Sequence, residues 1–478
     1  MSREHIENLL KTESFLIHLH NSSIKEIRMK STQKILFILF ILSTVTFADV
    51  PRTLYTINAS AETISKMDLN SKMITQNIAT TGQMPNKILA FDDMIYILDS
   101  GTSDIKMLNP GTDQIVRTIV LTPGANPWDM EFVGVDRVYV SNWVANTVSV
   151  VDLSTGSIIK DITVGKGPED ILILDNLAFV TNTGYAGWGL PYEQGTVMII
   201  DISADRIIDT IAVPTNPQKV VLAPDGRVHV LCTGDYVEHA GRVAVIDLQS
   251  GQMQNKPAVI DTIELGGAPG DLDITSDGKA YAIDWGDGLN GFLYAYNAVD
   301  GTVWHDSDNP LKVGPNTGQV LYDEHEECLW IPYMKEWGGD GYVQKFDVAM
   351  DSVVWISDVI GNGTQKITIL ESVTTNAADG ADHSAPNTFL LLPNYPNPFN
   401  PATTIRFDLS SSNIVSVDIF NASGQLIKTL MNQPMGAGQH SVQWDGMDKS
   451  GQAAASGTYL ARVKVGGEMK SLRMVLAR

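Results

Sequence analysis

From Arg52 to Leu370 the chain is a succession of short runs in which apolar and polar residues alternate, separated by Gly, Asp, Asn and Ser. The cleanest set lies between Thr122 and Val164, where WDMEFV, RVYVSN, TVSVVDL and IIKDITV follow one another. Alternation with a period of two marks a strand with one buried face, and the separators are residues that turn a chain. Four strands in about 40–50 residues, repeated along the chain, predict the blade of a β-propeller.

Three registers count the blades independently. The first is the lead-in to the inner strand, small-x-x-Pro/Thr-x-x-apolar, at Pro85, Pro127, Pro168, Pro217, Pro269, Thr317 and Thr364. The second is a bulky residue in the second strand: Tyr55, Tyr96, Tyr139, Phe179, His229, Tyr281 and Trp330. The third is the Asp or Asn closing the third strand: Asp68, Asn109, Asp152, Asp201, Asp247, Asn297 and Asp347. Each has seven members, spaced 40 to 52 residues apart. Proline at a strand start fixes φ where no ladder hydrogen bond is lost, and Asp or Asn accepts hydrogen bonds from the turn that follows. The seventh lead-in, GNGTQKITIL (361–370), has no later strands, whereas RTLYTIN (52–58) has no inner strand before it. The two ends are therefore expected to complete one blade and close the ring, leaving no free sheet edge.

The pattern Pro-x-x-apolar, x-Tyr-Val-x-Asn, Val-Ser-Val-Val-Asp and Thr-Gly resembles the YVTN-repeat, YncE-like propellers. The best match is RVYVSNWVANTVSVVDLSTG, 137–156, and the resemblance covers roughly residues 52–370. It implies an all-β, seven-bladed propeller but little about activity, because this fold hosts many functions. Some YncE-like surface propellers capture corrinoids, which the resemblance makes one candidate ligand. The Gly-His and Trp-Asp marks of WD40 repeats are absent.

The chain ends contain different sequence. Residues 35–41, ILFILFI, form a strongly apolar run preceded by Lys30 and Lys34 and followed by Thr46-Phe47-Ala48. Charge, apolar core and small residues in that order are the features of a secretory signal peptide, with cleavage expected after Ala48. Met29 stands directly before Lys30 and is the expected true start, so that residues 1–48 comprise an N-terminal extension and the signal. The propeller is expected over 49–370. Residues 371–388, small, polar and acidic, are expected to be a linker.

After the linker, alternation resumes in TTIRFDL, VSVDIFN, QLIKTLM, HSVQWDG, TYLARVKV and SLRMVLA, predicting a small Ig-like β-sandwich over 389–478. Its motifs are Tyr395-Pro396-Asn397-Pro398-Phe399-Asn400-Pro401, the Asn421–Gly424 turn, Trp444-Asp445-Gly446, Ser456-Gly457-Thr458-Tyr459 and the terminal Arg473-Met474-Val475-Leu476. These resemble the type A C-terminal sorting domain of the type IX secretion system. The resemblance implies export through the periplasm of a Gram-negative bacterium to the cell surface or medium. Gly457, Tyr459, Arg473, Met474, Val475 and Leu476 would carry the sorting signal and the type IX secretion machinery would be a partner. A general Ig-like adhesion domain is the alternative.

Charge narrows the partners. The formal net charge is −22, and residues 49–388 alone hold 19 basic against 46 acidic residues. Such a body is ill-suited to nucleic acid or an anionic membrane surface. No second apolar stretch predicts a transmembrane helix in the mature protein, which is expected to be a monomer. The two cysteines, Cys232 and Cys328, fall in second strands with one blade between them and are expected to be buried, unbonded thiols.

No GxSxG, HExxH, phosphate loop or EF-hand loop occurs, so no catalytic or metal-binding residue is assigned and the cofactor is unknown. Asp323-Glu324-His325-Glu326-Glu327 is expected to be a hairpin tip, and His229 a packed residue. The connections between second and third strands carry the informative deviations. They lengthen into TNTGYAGWGLPYEQGT (181–196), CTGDYVEHAGR (232–242), DWGDGLNGF (284–292) and PYMKEWGGDGY (332–342). By topology they share one rim, where insertions in a repeat ring commonly bind ligand. Trp143, Tyr185, Trp188, Tyr192, Tyr236, Trp285, Asp287, Trp337 and Asp340 are the candidate ligand-binding residues there. Aromatic rings beside carboxylates suit a small molecule, a glycan or a cofactor-like ring, or a protein surface; packing of the loops on one another is the alternative. The sequence thus supports a secreted or cell-surface, non-catalytic binding propeller. An enzyme of the lyase, lactonase or hydrolase type with a metal in the central channel, or an adhesion or matrix component, are the alternatives.

Overall fold

Seven antiparallel sheets follow one another between Arg52 and Glu371, each built of four successive strand positions from an inner to an outer edge. The computed structural model describes residues 51–134, 136–187, 189–248, 257–371, 389–395, 399–421, 426–466 and 468–476. No helix occurs among the described residues. The expected extension, signal peptide and start (1–48), residues 372–388 of the linker, Trp188, Pro396–Pro398 and residues 422–424 of the Asn421–Gly424 turn lie outside them, whereas Glu371, expected to begin the linker, ends the strand Thr364–Glu371.

Blade 2 shows the plan: Pro127–Phe132 inside, then Arg137–Asn142, Thr147–Asp152 and Ser157–Thr163 at the rim. In blades 5 and 6 the outer position is split, into Val303–His305 with Leu311–Val313 and Ser352–Ile356 with Gly361–Asn362. The second-strand register packs as expected from its bulk: Tyr139, Phe179, His229, Tyr281 and Trp330 are fully buried. The third-strand register makes the turns: Asp152 Oδ1 accepts the N–H of Thr155, and Asn109 Oδ1 accepts those of Gly111 and Thr112. The Asn of Tyr-Val-x-Asn also acquires a reason. Asn142 Nδ2 donates to Ser149 Oγ at 2.8 Å, pinning the second strand to the third inside the blade.

The ring closes as the registers require. Blade 7 takes its inner strand, Thr364–Glu371, from the C-terminal side and its other three, Arg52–Asn58, Thr63–Asp68 and Ile74–Thr80, from the N-terminal side. Tyr55 pairs with Thr368 and Arg52 with Glu371 in that ladder. Apolar residues of neighbouring blades share cores, as where Phe91 of blade 1 stacks on Phe132 of blade 2 with centroids 3.6 Å apart.

The C-terminal unit is a sandwich. One sheet holds Phe389–Tyr395, Thr403–Leu409 and Gly438–Trp444, and the other Leu426–Met435, Asn413–Asn421, Gly457–Val465 and Glu468–Leu476. Its core is built on Trp444, which lies 5.4 Å from Phe399 and 4.8 Å from Tyr459 between ring centroids, with Met474 and Leu476 alongside. Gly457, Tyr459, Arg473, Met474, Val475 and Leu476 all belong to one hairpin, in which Tyr459 pairs with Met474 and Gly457 with Leu476. Arg406 of the sandwich pairs with Asp175 of the propeller at 2.7 Å, and Lys470 pairs with Asp92.

Candidate functional site

The two residues after each lead-in Pro or Thr stand on the inner strands, where seven strands converge on the axis. Position +2 supplies a ring of Lys87, Asp129, Asp170, Lys219, Asp271, Gln319 and Lys366, and all seven line one cavity of about 320 Å³. Position +1 supplies Asn86, Trp128, Glu169, Gln218, Gly270, Gly318 and Gln365 to the same walls. Sequence reasoning counted these lead-ins but treated both positions as unspecified. The signal was present: a polar or charged residue repeats two places after the lead-in, on strands that are otherwise apolar.

The ring has a structural task. Inner strands of adjacent blades cannot ladder with one another, so their outward amides need other acceptors. Asp129 Oδ2 accepts the N–H of Ile171 (2.9 Å), Asp170 Oδ2 that of Val220 (2.9 Å), Asp271 Oδ2 that of Val320 (3.1 Å) and Gln319 Oε1 that of Ile367 (2.6 Å). Each acceptor thus reaches one blade ahead. Ser141 Oγ adds a second stitch to the Glu169 carbonyl of the next blade, and Thr233 Oγ1 another to that of Pro269.

Ion pairs settle most of the ring's charge. Lys87 Nζ lies 2.5 Å from Asp129 and 3.3 Å from Glu131; Lys219 Nζ lies 3.0 Å from Asp170 and 4.0 Å from Asp271. Burial would lower the pKa of Lys87 and Lys219, but the facing carboxylates outweigh it and hold both above the ordinary lysine value. Burial likewise opposes ionisation of Asp129, yet Lys87 and Lys219 keep its carboxyl below the usual range. Glu169 behaves differently. Burial, reinforced by adjacent Asp170, pushes its carboxyl up to about 8. Lys366 Nζ donates to the Gly318 carbonyl at 3.0 Å. Burial lowers its pKa, Asp271 opposes this, and Lys219 and Lys87 add to it.

Above the ring stand the loops. Trp285 and Trp337 line the cavity together with Trp128, their centroids 5.2 Å apart, and both are exposed. The six-membered ring of Trp285 lies close over Gly318, where an added Cβ would stand 3.2 Å from the indole and push it by a few tenths of an ångström. Three other candidate rings form a chain that runs outward from the cavity-lining Trp128: Trp143 sits 6.1 Å from Trp128 and 4.7 Å from Tyr185, which sits 5.8 Å from Tyr192. Here the rings pack the loops on one another. Trp143 Nε1 is buried and faces the Glu169 carboxylate, favouring its ionised form. Tyr236 is exposed at positive φ. Asp287 caps its own loop through the N–H groups of Leu289 and Asn290, and Asp340 begins the strand facing Asn362. Of the nine candidates, then, Trp285 and Trp337 line the cavity and the other described ones do not.

At the opposite mouth lies a cavity of about 780 Å³, lined by inner-strand apolar residues such as Leu172 and Leu222 and by Leu392, Asn394 and Arg406 of the sandwich. Asp170 and Lys219 line both cavities, so the charged ring is the waist between them.

The acidic stretch is a turn, as expected, and two of its carboxylates serve closure. Asp323 Oδ1 lies 2.6 Å from Arg52 Nη2, and Asp323 Oδ2 accepts the indole N–H of Trp330. Glu326 Oε1 lies 3.6 Å from Arg52 Nη1, while its other oxygen pairs with Lys345 of its own blade. His229 is fully buried, its Nδ1 3.0 Å from Tyr296 Oη, and burial lowers its pKa to about 4. Cys232 and Cys328 are buried and unbonded, and burial raises both thiols. No cluster of three potential metal ligands occurs among the described residues.

Sequence comparison matches residues 399–468 to the family described as the FlgD Ig-like domain. No curated protein matches the chain. Among solved structures, a functionally unknown protein from Desulfotomaculum acetoxidans matches with 13% identity and a TM-score of 0.50, over 66% of this chain and 98% of that one. A protein from Lactobacillus plantarum matches with 13% identity and a TM-score of 0.52, over 67% and 99%. The WD40 β-propeller domain of Doa1 matches with 11% identity and a TM-score of 0.45, over 59% and 86%. For the first two the likeness, at such identities, is one of fold. The chain is an all-β protein: a propeller followed by an Ig-like sandwich.

Proposed function

We propose that this chain is an exported, non-catalytic binding protein whose propeller takes its ligand at the loop-bearing mouth. One observation carries the reading: Trp128, Trp285 and Trp337 surround a cavity whose floor is a charged ring already committed to holding the blades together. Carboxylates engaged by backbone amides and lysines are poor acids or bases but a rigid floor, while exposed indoles provide contact area. The YncE-like motifs support a surface propeller that captures a small molecule. The apolar run at 35–41 and the likeness of 395–476 to type A sorting domains support delivery through the type IX system to the cell surface or medium.

A thermal-shift screen of small molecules tests the binding half. A ligand that raises the melting temperature of the protein, but not of a Trp285→Ala/Trp337→Ala variant, is the expected result. A stabilising ligand indifferent to both substitutions would place binding elsewhere. For the export half, removal of residues 457–478 is expected to leave the propeller in the periplasm; undiminished surface delivery would overturn it.

A further inference from the structure

Lys366 stands apart from the other cations of the ring. Lys87 and Lys219 each lie within 3.0 Å of a carboxylate, whereas Lys366, among the described residues, has no carboxylate within ion-pair distance and donates only to a backbone carbonyl. Asp271 acts on Lys366 only from beyond ion-pair distance; an ammonium in a partly desolvated channel without a directly paired carboxylate is costly, and a bound anion would relieve that cost.

The groups around it are not those of a simple anion trap. Gln365, its neighbour on the same strand, lines the cavity, and its side-chain amide makes no hydrogen bond among the described residues. Asn86, on the next strand of the ring, uses its Nδ2 on the Trp128 carbonyl and leaves its Oδ1 to accept. Amides both donate and accept, as hydroxyl groups do, so together they match a hydroxyl-bearing ligand better than an aromatic acid. The indole of Trp285, beside Gly318 and exposed at the cavity, offers an apolar surface to the C–H side of a ring. A cavity of about 320 Å³ lies at the small end of the range for ligand pockets, about 300–1,000 Å³, and suits one ring rather than a chain.

We propose that the loop-bearing mouth binds a sugar acid: a pyranose ring on the Trp285 face, its hydroxyls on Gln365 and Asn86, and its carboxylate on Lys366. This rests on the proposed binding mouth and adds the class of ligand.

The test is titration of the purified protein with galacturonate and glucuronate beside galactose and glucose, followed by tryptophan fluorescence and calorimetry. At least one acid is expected to bind about tenfold or more tightly than its neutral counterpart, as a charge-assisted contact would give. Lys366→Met should bring the ratio close to one, and Lys366→Arg should preserve the preference. Should the Met variant fail to fold, Lys366→Gln against Lys366→Arg makes the same comparison, with melting curves as the control. Equal affinity for acid and neutral sugar, or an acid preference that survives Lys366→Met, overturns the proposal while leaving the mouth as a sugar site. Absence of sugar binding, with another compound class saturating the mouth, overturns the ligand class alone. If no compound bound there, the mouth itself would fail as a site.

Discussion

Asp170 Oδ2 accepts the backbone N–H of Val220, one blade ahead, at 2.9 Å, while its Oδ1 lies 3.0 Å from Lys219 Nζ. One carboxylate therefore bonds the inner strand of the next blade twice. Asp170→Ala would orphan a buried N–H and deprive Lys219 of its nearest anion. A loss of about 2–3 kcal/mol is expected by urea denaturation. Asp170→Asn, which retains an acceptor for Val220, should lose less. Equal losses for the two would show that the amide clip contributes nothing.

Closure of the ring depends on Arg52. Its guanidinium is buried, 2.6 Å from Asp323 and 2.9 Å from Glu371, and so joins blade 6 to both halves of blade 7. Arg52→Ala leaves Asp323 as a buried carboxylate without its guanidinium, and a destabilisation of about 3–5 kcal/mol follows. Differential scanning calorimetry should show this in the propeller transition. A melting temperature within a degree of the parent would argue against a closing role.

Glu169 makes stability depend on pH in a defined direction. Its carboxyl ionises at about 8 in the folded protein, raised by burial and then by Asp170, against 4.5 for a free side chain. Between those values the folded state holds a proton that the unfolded chain has released, so stability falls as pH rises across that window. Glu131, raised to about 7, and Asp273, raised to about 6, act in the same direction over narrower windows. Glu169→Gln should leave the melting temperature nearly unchanged at pH 5 and raise it at pH 8. A difference between variant and parent that does not change with pH would exclude the effect.

The sandwich core centres on Trp444, whose indole N–H donates to the Met447 carbonyl at 2.9 Å while Phe399 and Tyr459 pack its ring. Trp444→Ala is expected to cost about 3–5 kcal/mol. Limited proteolysis should then cut residues 389–478 readily and leave the propeller intact. Proteolysis spreading equally into both parts would indicate one cooperative unit.

Blade number and closure were legible because each rests on local chemistry repeated seven times. A proline needs a strand start, an Asp or Asn needs its turn, and a bulky side chain needs the space between sheets. The waist of the channel was legible only in hindsight. Lys87, Asp129, Asp170, Lys219, Asp271, Gln319 and Lys366 occupy one geometric position, but they differ in charge and size and therefore do not look like a repeat. The loops were the least legible. Trp143, Tyr185 and Tyr192 have the same composition as Trp285 and Trp337, and only three-dimensional placement separates rings that pack on one another from rings that line the cavity. The acidic run at 323–327 likewise gave no sign that Asp323 would meet Arg52, since that contact spans 271 residues of chain.

Pairing of Arg52–Asn58 with Thr364–Glu371 has a kinetic consequence. The innermost strand of blade 7 is synthesised last in the propeller, about 300 residues after the strand it must join. Until it arrives, Leu54 and Ile57 have no sheet neighbour on that side, and the ring cannot pass its highest-contact-order step. The nascent chain therefore remains open at blade 7, whose outer three strands are made first, for nearly the whole of propeller synthesis. A chain in that condition is vulnerable to edge pairing with other copies, and it is also still threadable. Deferring the final strand lets the cooperative transition occur only once the propeller sequence is complete.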